Sequence, residues 1–329
     1  MRPSLSRLAW AWGLACLLSP ASQLDAQTDG TVAEGGAAFL LVPVGARAVA
    51  LGQAAVADFG SGELAFWNPA GLALLPRSEL GIHHARTFAS NNTALAGYVS
   101  MRRVGTFGAA AYLVDFGSQE VRPGPGPPTG RTTVRNIELL ASYATTIVPS
   151  LAVGINYKLI QFRNDCSGDC GLFPTEVGTT HGLDVGVQYL VGVGNGLRLG
   201  LAIQHAGFAL QIENRPQADP LPTRVQLGAQ YQVELPTPED TEPAYARVLF
   251  DLQDAWGSYS NPEARVGLEL GLGELIRMRG GYAFLHSESR GPSIGAGVTF
   301  GRVTVDFARI FFESGRFDEP VYLSLRAAL

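Results

Sequence analysis

From about residue 80 onward, apolar and polar residues alternate with a period of two. In Leu197-Arg198-Leu199-Gly200-Leu201-Ala202-Ile203-Gln204 one face carries Leu, Leu, Leu and Ile, and the other Arg, Gly, Ala and Gln. The stretch 265–272 sets Val266, Leu268, Leu270 and Leu272 against Arg265, Gly267, Glu269 and Gly271, and 224–233 repeats the pattern. Successive side chains of a strand point to opposite faces, so this is the signature of half-buried strands. Fourteen such segments can be read, near 79–86, 93–101, 105–115, 136–147, 150–162, 181–190, 197–205, 223–233, 244–254, 263–272, 276–284, 293–300, 302–311 and 321–329.

The connections decide where the apolar faces go. Short ones (102–104, 148–149, 192–196, 273–275 and Gly301) alternate with longer polar ones (116–135, 163–180, 206–222, 255–262, 285–292 and 312–320). Short turns at one end and long loops at the other mark a bacterial outer-membrane barrel, whose apolar face meets lipid. In a soluble sandwich, the competing use of the same alternation, that face meets a second sheet. The connection 234–243 is long on the short-turn side and breaks the pattern. Aromatic residues on the apolar faces fall into two belts: Trp256, Phe284 and Phe311 towards the loops, Tyr189, Tyr231 and Phe300 towards the turns. Interfacial anchoring predicts two such belts. The expected fold is therefore all-β and transmembrane: a fourteen-stranded antiparallel outer-membrane β-barrel over 79–329.

The first 78 residues do not alternate. Arg2 and Arg7 precede the apolar run 8–18, and a small-residue cleavage site follows at Ala26. Residues 1–26 read as a secretory signal peptide, so the mature chain is expected to be exported and, with the barrel, to reside in the bacterial outer membrane. Cys16 lies in a poor lipobox, Gly13-Leu14-Ala15-Cys16. Residues 27–78 read as a plug. A fourteen-stranded barrel has a lumen too wide for side chains alone to fill. The small-residue run 45–57 and the broken apolar stretch Glu63-Leu64-Ala65-Phe66-Trp67-Asn68-Pro69-Ala70-Gly71-Leu72-Ala73-Leu74-Leu75 both need burial. The rival account of 27–78 is a periplasmic amphipathic segment.

Composition adds exclusions. A formal net charge of −5 argues against nucleic acid. After the signal peptide only Cys166 and Cys170 remain, in Asn164-Asp165-Cys166-Ser167-Gly168-Asp169-Cys170-Gly171. In an exported chain they read as a local disulfide. Zinc would want more ligands, and for Asp165 and Asp169 a solvated acidic loop is a simpler account than calcium. No metal or cofactor is expected. Nor is catalysis: His83 and His84 are neighbours on one strand and face opposite ways, while His181, His205 and His286 lack a recognisable Ser partner. One charged constellation stands out on the inward phase of the C-terminal strands: Arg247, Asp251, Arg265, Glu269, Arg277, Arg279, Asp306 and Arg326. It reads first as an ion-pair ladder that lines the wall and grips the plug, and alternatively as a polar solute path.

The plug carries a resemblance. Gly45-Ala46-Arg47-Ala48, Leu51-Gly52 and Ala65-Phe66-Trp67-Asn68-Pro69-Ala70-Gly71-Leu72 resemble the N-terminal signature of the PorV/PorQ family of outer-membrane proteins. These are relatives of the FadL transporters, which share an Asn-Pro-Ala hatch motif and a fourteen-stranded barrel. The resemblance is densest over 35–80 and implies a non-enzymatic barrel whose motif residues are Gly45, Arg47, Gly52, Trp67, Asn68, Pro69 and Gly71. PorV-like members bind secreted cargo in type IX secretion, and FadL-like members pass hydrophobic small molecules. The first role leads and the second is its alternative. The implied partners are outer-membrane lipid with either secreted proteins and secretion components or hydrophobic small molecules. The chain departs from the pattern in being shorter than typical FadL transporters and in ending at Leu329, where many barrels end in an aromatic.

Overall fold

The computed structural model describes residues 36–329 apart from 123, 172–173, 193–195, 213–217, 239–241, 274, 288 and 316–317. The signal-peptide reading of 1–26 and the start of the plug reading, 27–35, lie outside the described residues. Among the described residues the strands are β1 (Glu79–Arg86), β2 (Asn91–Met101), β3 (Gly105–Val121), β4 (Gly130–Val148), β5 (Leu151–Gly168), β6 (Glu176–Val191), β7 (Leu197–Gly207), β8 (Leu210–Gln211), β9 (Ala218–Asp219), β10 (Arg224–Leu235), β11 (Ala244–Ala255), β12 (Glu263–Leu272), β13 (Ile276–Phe284), β14 (Gly291–Phe300), β15 (Val303–Ile310) and β16 (Val321–Ala328). Fourteen of them form one closed antiparallel barrel, in chain order, with β7 beside β10. The short pair β8–β9 is a separate hairpin inside the β7–β10 connection. Closure runs through β1 and β16, from Glu79 opposite Ala328 to Arg86 opposite Val321. An open edge in lipid would leave backbone donors and acceptors with no partner, so a transmembrane sheet must close.

Alternation sorts the two faces of the wall. On β1 Leu80 and Ile82 are exposed while Glu79 and His83 are buried, and on β12 Leu268 and Leu270 are exposed while Glu269 is fully buried. Polar residues inside and apolar residues outside is the inverse of a soluble sheet. Trp256, Phe284, Tyr189, Tyr231 and Phe300 are all exposed on the outer face, whereas Tyr322 points inward at 2% exposure.

Strands β3 to β6 extend beyond the sequence reading. Segments 116–135 and 163–180, read as long polar loops, are largely strand. Their alternation fades past a register shift at Asp115/Ser118. A ladder that projects beyond the bilayer is wet on both faces, so it needs no apolar side, and a two-fold pattern cannot reveal it. The Cys166–Cys170 disulfide sits at this end, where β5 finishes.

The lumen is filled by residues ahead of β1. A 3-10 turn (Ala38–Leu41), helix α1 (Ala46–Ala50) and two further 3-10 helices (Gly62–Phe66 and Pro69–Leu74) fold into it as a hatch. The run 45–57 is helical only over its first turn. Gly45 and Gly52 bracket α1 with φ of 94° and 65°, a region that favours glycine. The second break follows from chemistry at Asn68. Its Oδ1 accepts from Ala70 N at 3.0 Å, capping the 3-10 helix that Pro69 starts.

Candidate functional site

The hatch meets the wall backbone to backbone. Inward-facing glycines on successive strands leave room for it: a Cβ on Gly267 would lie 2.6 Å from Leu51 O, and one on Gly228 2.8 Å from Val56 Cβ. Added Cβ atoms at Gly154, Gly186, Gly200 and Gly281 would strike Pro69 and Ala70, Asn68 Oδ1, Val56 O and the Leu51–Gly52 peptide. Glycine at these wall positions lets the hatch come into direct backbone contact with β5, β6, β7, β10, β12 and β13.

Buried charges tie the two parts together. Arg47 in α1 donates from Nε to Asp58 Oδ2 at 2.8 Å and from Nη1 to Glu269 Oε2 at 2.6 Å. Arg247 reaches Asp58 at 3.1 Å and Glu269 at 3.4 Å. Arg279 binds Glu269 and Asp306, each at 2.6 Å. Arg326 continues to Asp306 at 2.8 Å and Glu79 at 3.4 Å. The result is a neutral chain of alternating signs: Arg247, Asp58, Arg47, Glu269, Arg279, Asp306, Arg326, Glu79. None is more than 8% exposed. Burial alone would lift the Asp58 carboxyl, yet Arg47 and Arg247 hold it below its ordinary range.

Five of the eight charged wall residues read from the sequence belong to this ladder: Arg247, Glu269, Arg279, Asp306 and Arg326. Three do not. Asp251 Oδ2 accepts from the hatch amides of Ala55 and Val56 at 2.7 and 2.9 Å. Arg265 donates to Gln253 and Glu263. Arg277 reaches only Thr299 Oγ1, at 3.0 Å, among the described residues. Asp58 and Glu79, which complete the ladder, were not read from the sequence. Asp58 lies in a stretch with no periodicity, and Glu79 is the first residue of its strand.

A second buried network was also missed. Lys158 Nζ lies 2.8 Å from Glu138, 2.9 Å from Asp184 and 3.0 Å from His205 Nδ1. Asn156 donates to Ala65 O in the hatch and to Asp184, at 2.7 and 2.8 Å. His205 has φ of 57° where the β6–β7 register shifts, and its N–H donates to Asp184 Oδ1 at 2.9 Å. The signal was available: Glu138, Lys158 and Asp184 each sit between lipid-facing residues, so each is an inward charge.

The remaining motif residues also face the lumen. Trp67 donates from its indole to Val44 O at 2.9 Å. Asn68, fully buried, donates to Val56 O at 2.7 Å. Gly71 packs 3.1 Å, by its would-be Cβ, from Asp58 O. Glu63 Oε1 accepts from Ala48 N at 2.9 Å, and its Oε2 lies 3.7 Å from His83 Nδ1. Burial pushes the Glu63 carboxyl up to about 7.

Above the hatch, on the loop side, Phe39, Leu40, Val44, Tyr112, Val114, Ile160, Leu210 and Leu221 form an apolar cluster. Beside it lies a cavity of about 50 Å³, bounded by Leu40–Val44, Phe66 and Trp67 on the hatch side and by Lys158, His205, Arg224 and Arg265 on the wall. On the turn side a larger cavity, about 440 Å³, opens beneath the hatch. The loop-side space is small. An apolar cavity of ~150 Å³ holds benzene, about three times this volume, so passage of an aromatic solute calls for movement of hatch residues.

No family model matches the chain, and no curated protein matches it by sequence. Its fold is similar to solved structures. One is the Ralstonia pickettii toluene transporter TbuX, at 14% identity and TM-score 0.57, covering 87% of this chain and 98% of that one. Another is the monoaromatic hydrocarbon channel CymD, at 12% identity and TM-score 0.57, covering 88% and 98%. A third is the Pseudomonas putida toluene transporter TodX, at 11% identity and TM-score 0.54, covering 87% and 98%. At these identities the likeness is one of fold: a fourteen-stranded outer-membrane-type β-barrel.

Proposed function

We propose that the chain is a FadL-like outer-membrane channel for hydrophobic small molecules, with the long loops outside the cell and the hatch as its gate. The observation that carries this reading is the loop-side chamber, where apolar hatch residues around Phe66 and Trp67 face the polar wall. The similar structures support it: two are transporters of toluene and one is a channel for monoaromatic hydrocarbons. Presentation of secreted proteins, the role that the hatch resemblance puts first, draws no support from them. The neighbours are transporters and channels rather than enzymes, which supports a non-catalytic role.

The test is uptake of radiolabelled toluene and of a long-chain alkane by a Gram-negative host with and without the protein. Expression should accelerate entry of at least one. A cross-link between positions 46 and 324, where Ala46 N now donates to Ser324 Oγ at 2.9 Å, should abolish the gain. Equal uptake with and without the protein, for both solutes, overturns the reading.

A further inference from the structure

The turn-side cavity, about 440 Å³, is lined by six arginines and one carboxylate, Glu79. Three of these arginines, Arg47, Arg247 and Arg326, are neutralised within the ladder. The others, Arg77, Arg277 and Arg302, have no carboxylate within ion-pair distance among the described residues. Hydroxyls share the lining: Tyr245, Thr299, Thr304 and Ser61. Ser61 is 1% exposed, and its Oγ has no hydrogen-bond partner among the described residues. A buried hydroxyl without a partner is unfavourable, and the three guanidinium groups without a carboxylate line one cavity, Arg277 half-buried and Arg77 and Arg302 exposed at its mouth. An anion seated there would accept from the Ser61 hydroxyl and balance the unpaired guanidinium charge.

We infer that this cavity is a binding site for a phosphate-type oxyanion at the turn end of the barrel. Guanidinium presents paired N–H donors that match phosphate oxygens two at a time, and the unpartnered Ser61 hydroxyl supplies a further donor, while Tyr245 is already bonded to Glu269 and Thr299 to Thr304. The loop-side cavity lacks this character, because each of its cations faces a carboxylate or a histidine. The same chemistry comes from two sources, a free phosphate ester or the headgroup of an anionic phospholipid. The inference does not depend on solute passage, so the uptake experiment and this one fail separately.

Inorganic phosphate is the probe, titrated into the purified full chain in a maltoside detergent and followed by phosphorus NMR line broadening. Saturable binding is expected, weakened by salt and reduced on the order of tenfold in the Arg277→Gln/Arg302→Gln variant. Heat-modifiable gel migration checks that this variant is folded. Arg77→Gln, which alters no strand, provides an independent loss of affinity. Nanodiscs of phosphatidylglycerol distinguish the sources: competition with phosphate assigns a lipid headgroup, and its absence a free ester. No saturable binding, or binding unchanged in both variants, overturns the inference. So does binding of an acidic peptide where phosphate fails.

Discussion

Replacing Arg47 by Met tests whether buried charge holds the hatch. The change keeps an apolar stem of similar length and removes the guanidinium that bridges Asp58 in the hatch and Glu269 in the wall. Removing one partner of a buried pair costs about 3–5 kcal/mol, because the other charge stays buried. The lower end applies, since Arg247 still reaches Asp58 at 3.1 Å and Arg279 still holds Glu269 at 2.6 Å. About 3 kcal/mol corresponds to roughly two orders of magnitude in the hatch opening equilibrium. Hydrogen exchange reads this directly. The amides of Val49, Leu51, Gly52 and Gln53, bonded within the first hatch turns, should exchange about a hundredfold faster. Strand amides should keep their protection. Adding Asp58→Asn removes one stranded charge, so the double variant should lose less than the sum of the singles. If hatch protection is unchanged in Arg47→Met, or if strand protection falls with it, the ladder does not pin the hatch.

Asn68→Leu orphans Ala70 N, while Val56 O keeps its bond from Gln188; a cost of about 1–3 kcal/mol should raise single-channel conductance with the barrel intact. Glu63 gives a pH dependence: its carboxyl titrates near 7 in the folded hatch against an ordinary 4.5, so the closed form binds more protons than a released one. Closure should therefore weaken as pH rises from about 4.5 to about 7, seen as increasing open probability in planar bilayers, and Glu63→Gln channels should show a shallower rise. Gly281→Val should push the hatch off the wall and raise conductance, whereas Gly124→Val, with nothing within 4 Å, should have no effect. For topology, an impermeant maleimide should label Gly124→Cys but not Arg302→Cys on intact cells; the opposite pattern would reverse the proposed orientation.

The barrel could be read in the chain because lipid imposes a strict rule on every second residue. Leu197 to Gln204 shows it without help from any other segment. Where lipid ends the rule ends, and the outer parts of β3 to β6 passed as loops for that reason. Inside the lumen no solvent boundary sets a period. Arg47 could be singled out by its setting among small residues, but its partner Asp58 could not, because a hatch folded by close contact leaves no repeat to follow. The glycines that admit the hatch looked like the small members of a polar face. Their meaning depends on what lies opposite, and that is visible only in three dimensions.

The glycine-lined contact has a consequence for how the molecule is made. Leu51, Val56 and Pro69 lie so close to the wall that there is room for a glycine hydrogen and none for a Cβ. The hatch is also stapled to both margins of the closure: Gly62 N donates to Glu79 on β1, and Ala46 N to Ser324 on β16. Contacts this close on both margins predict an assembly in which the wall wraps around a hatch already in position, with β16 arriving last. The zipping of β1 to β16 and the locking of the hatch are then a single step, so a variant that fails to seat the hatch should accumulate as an unclosed sheet rather than as an empty pore.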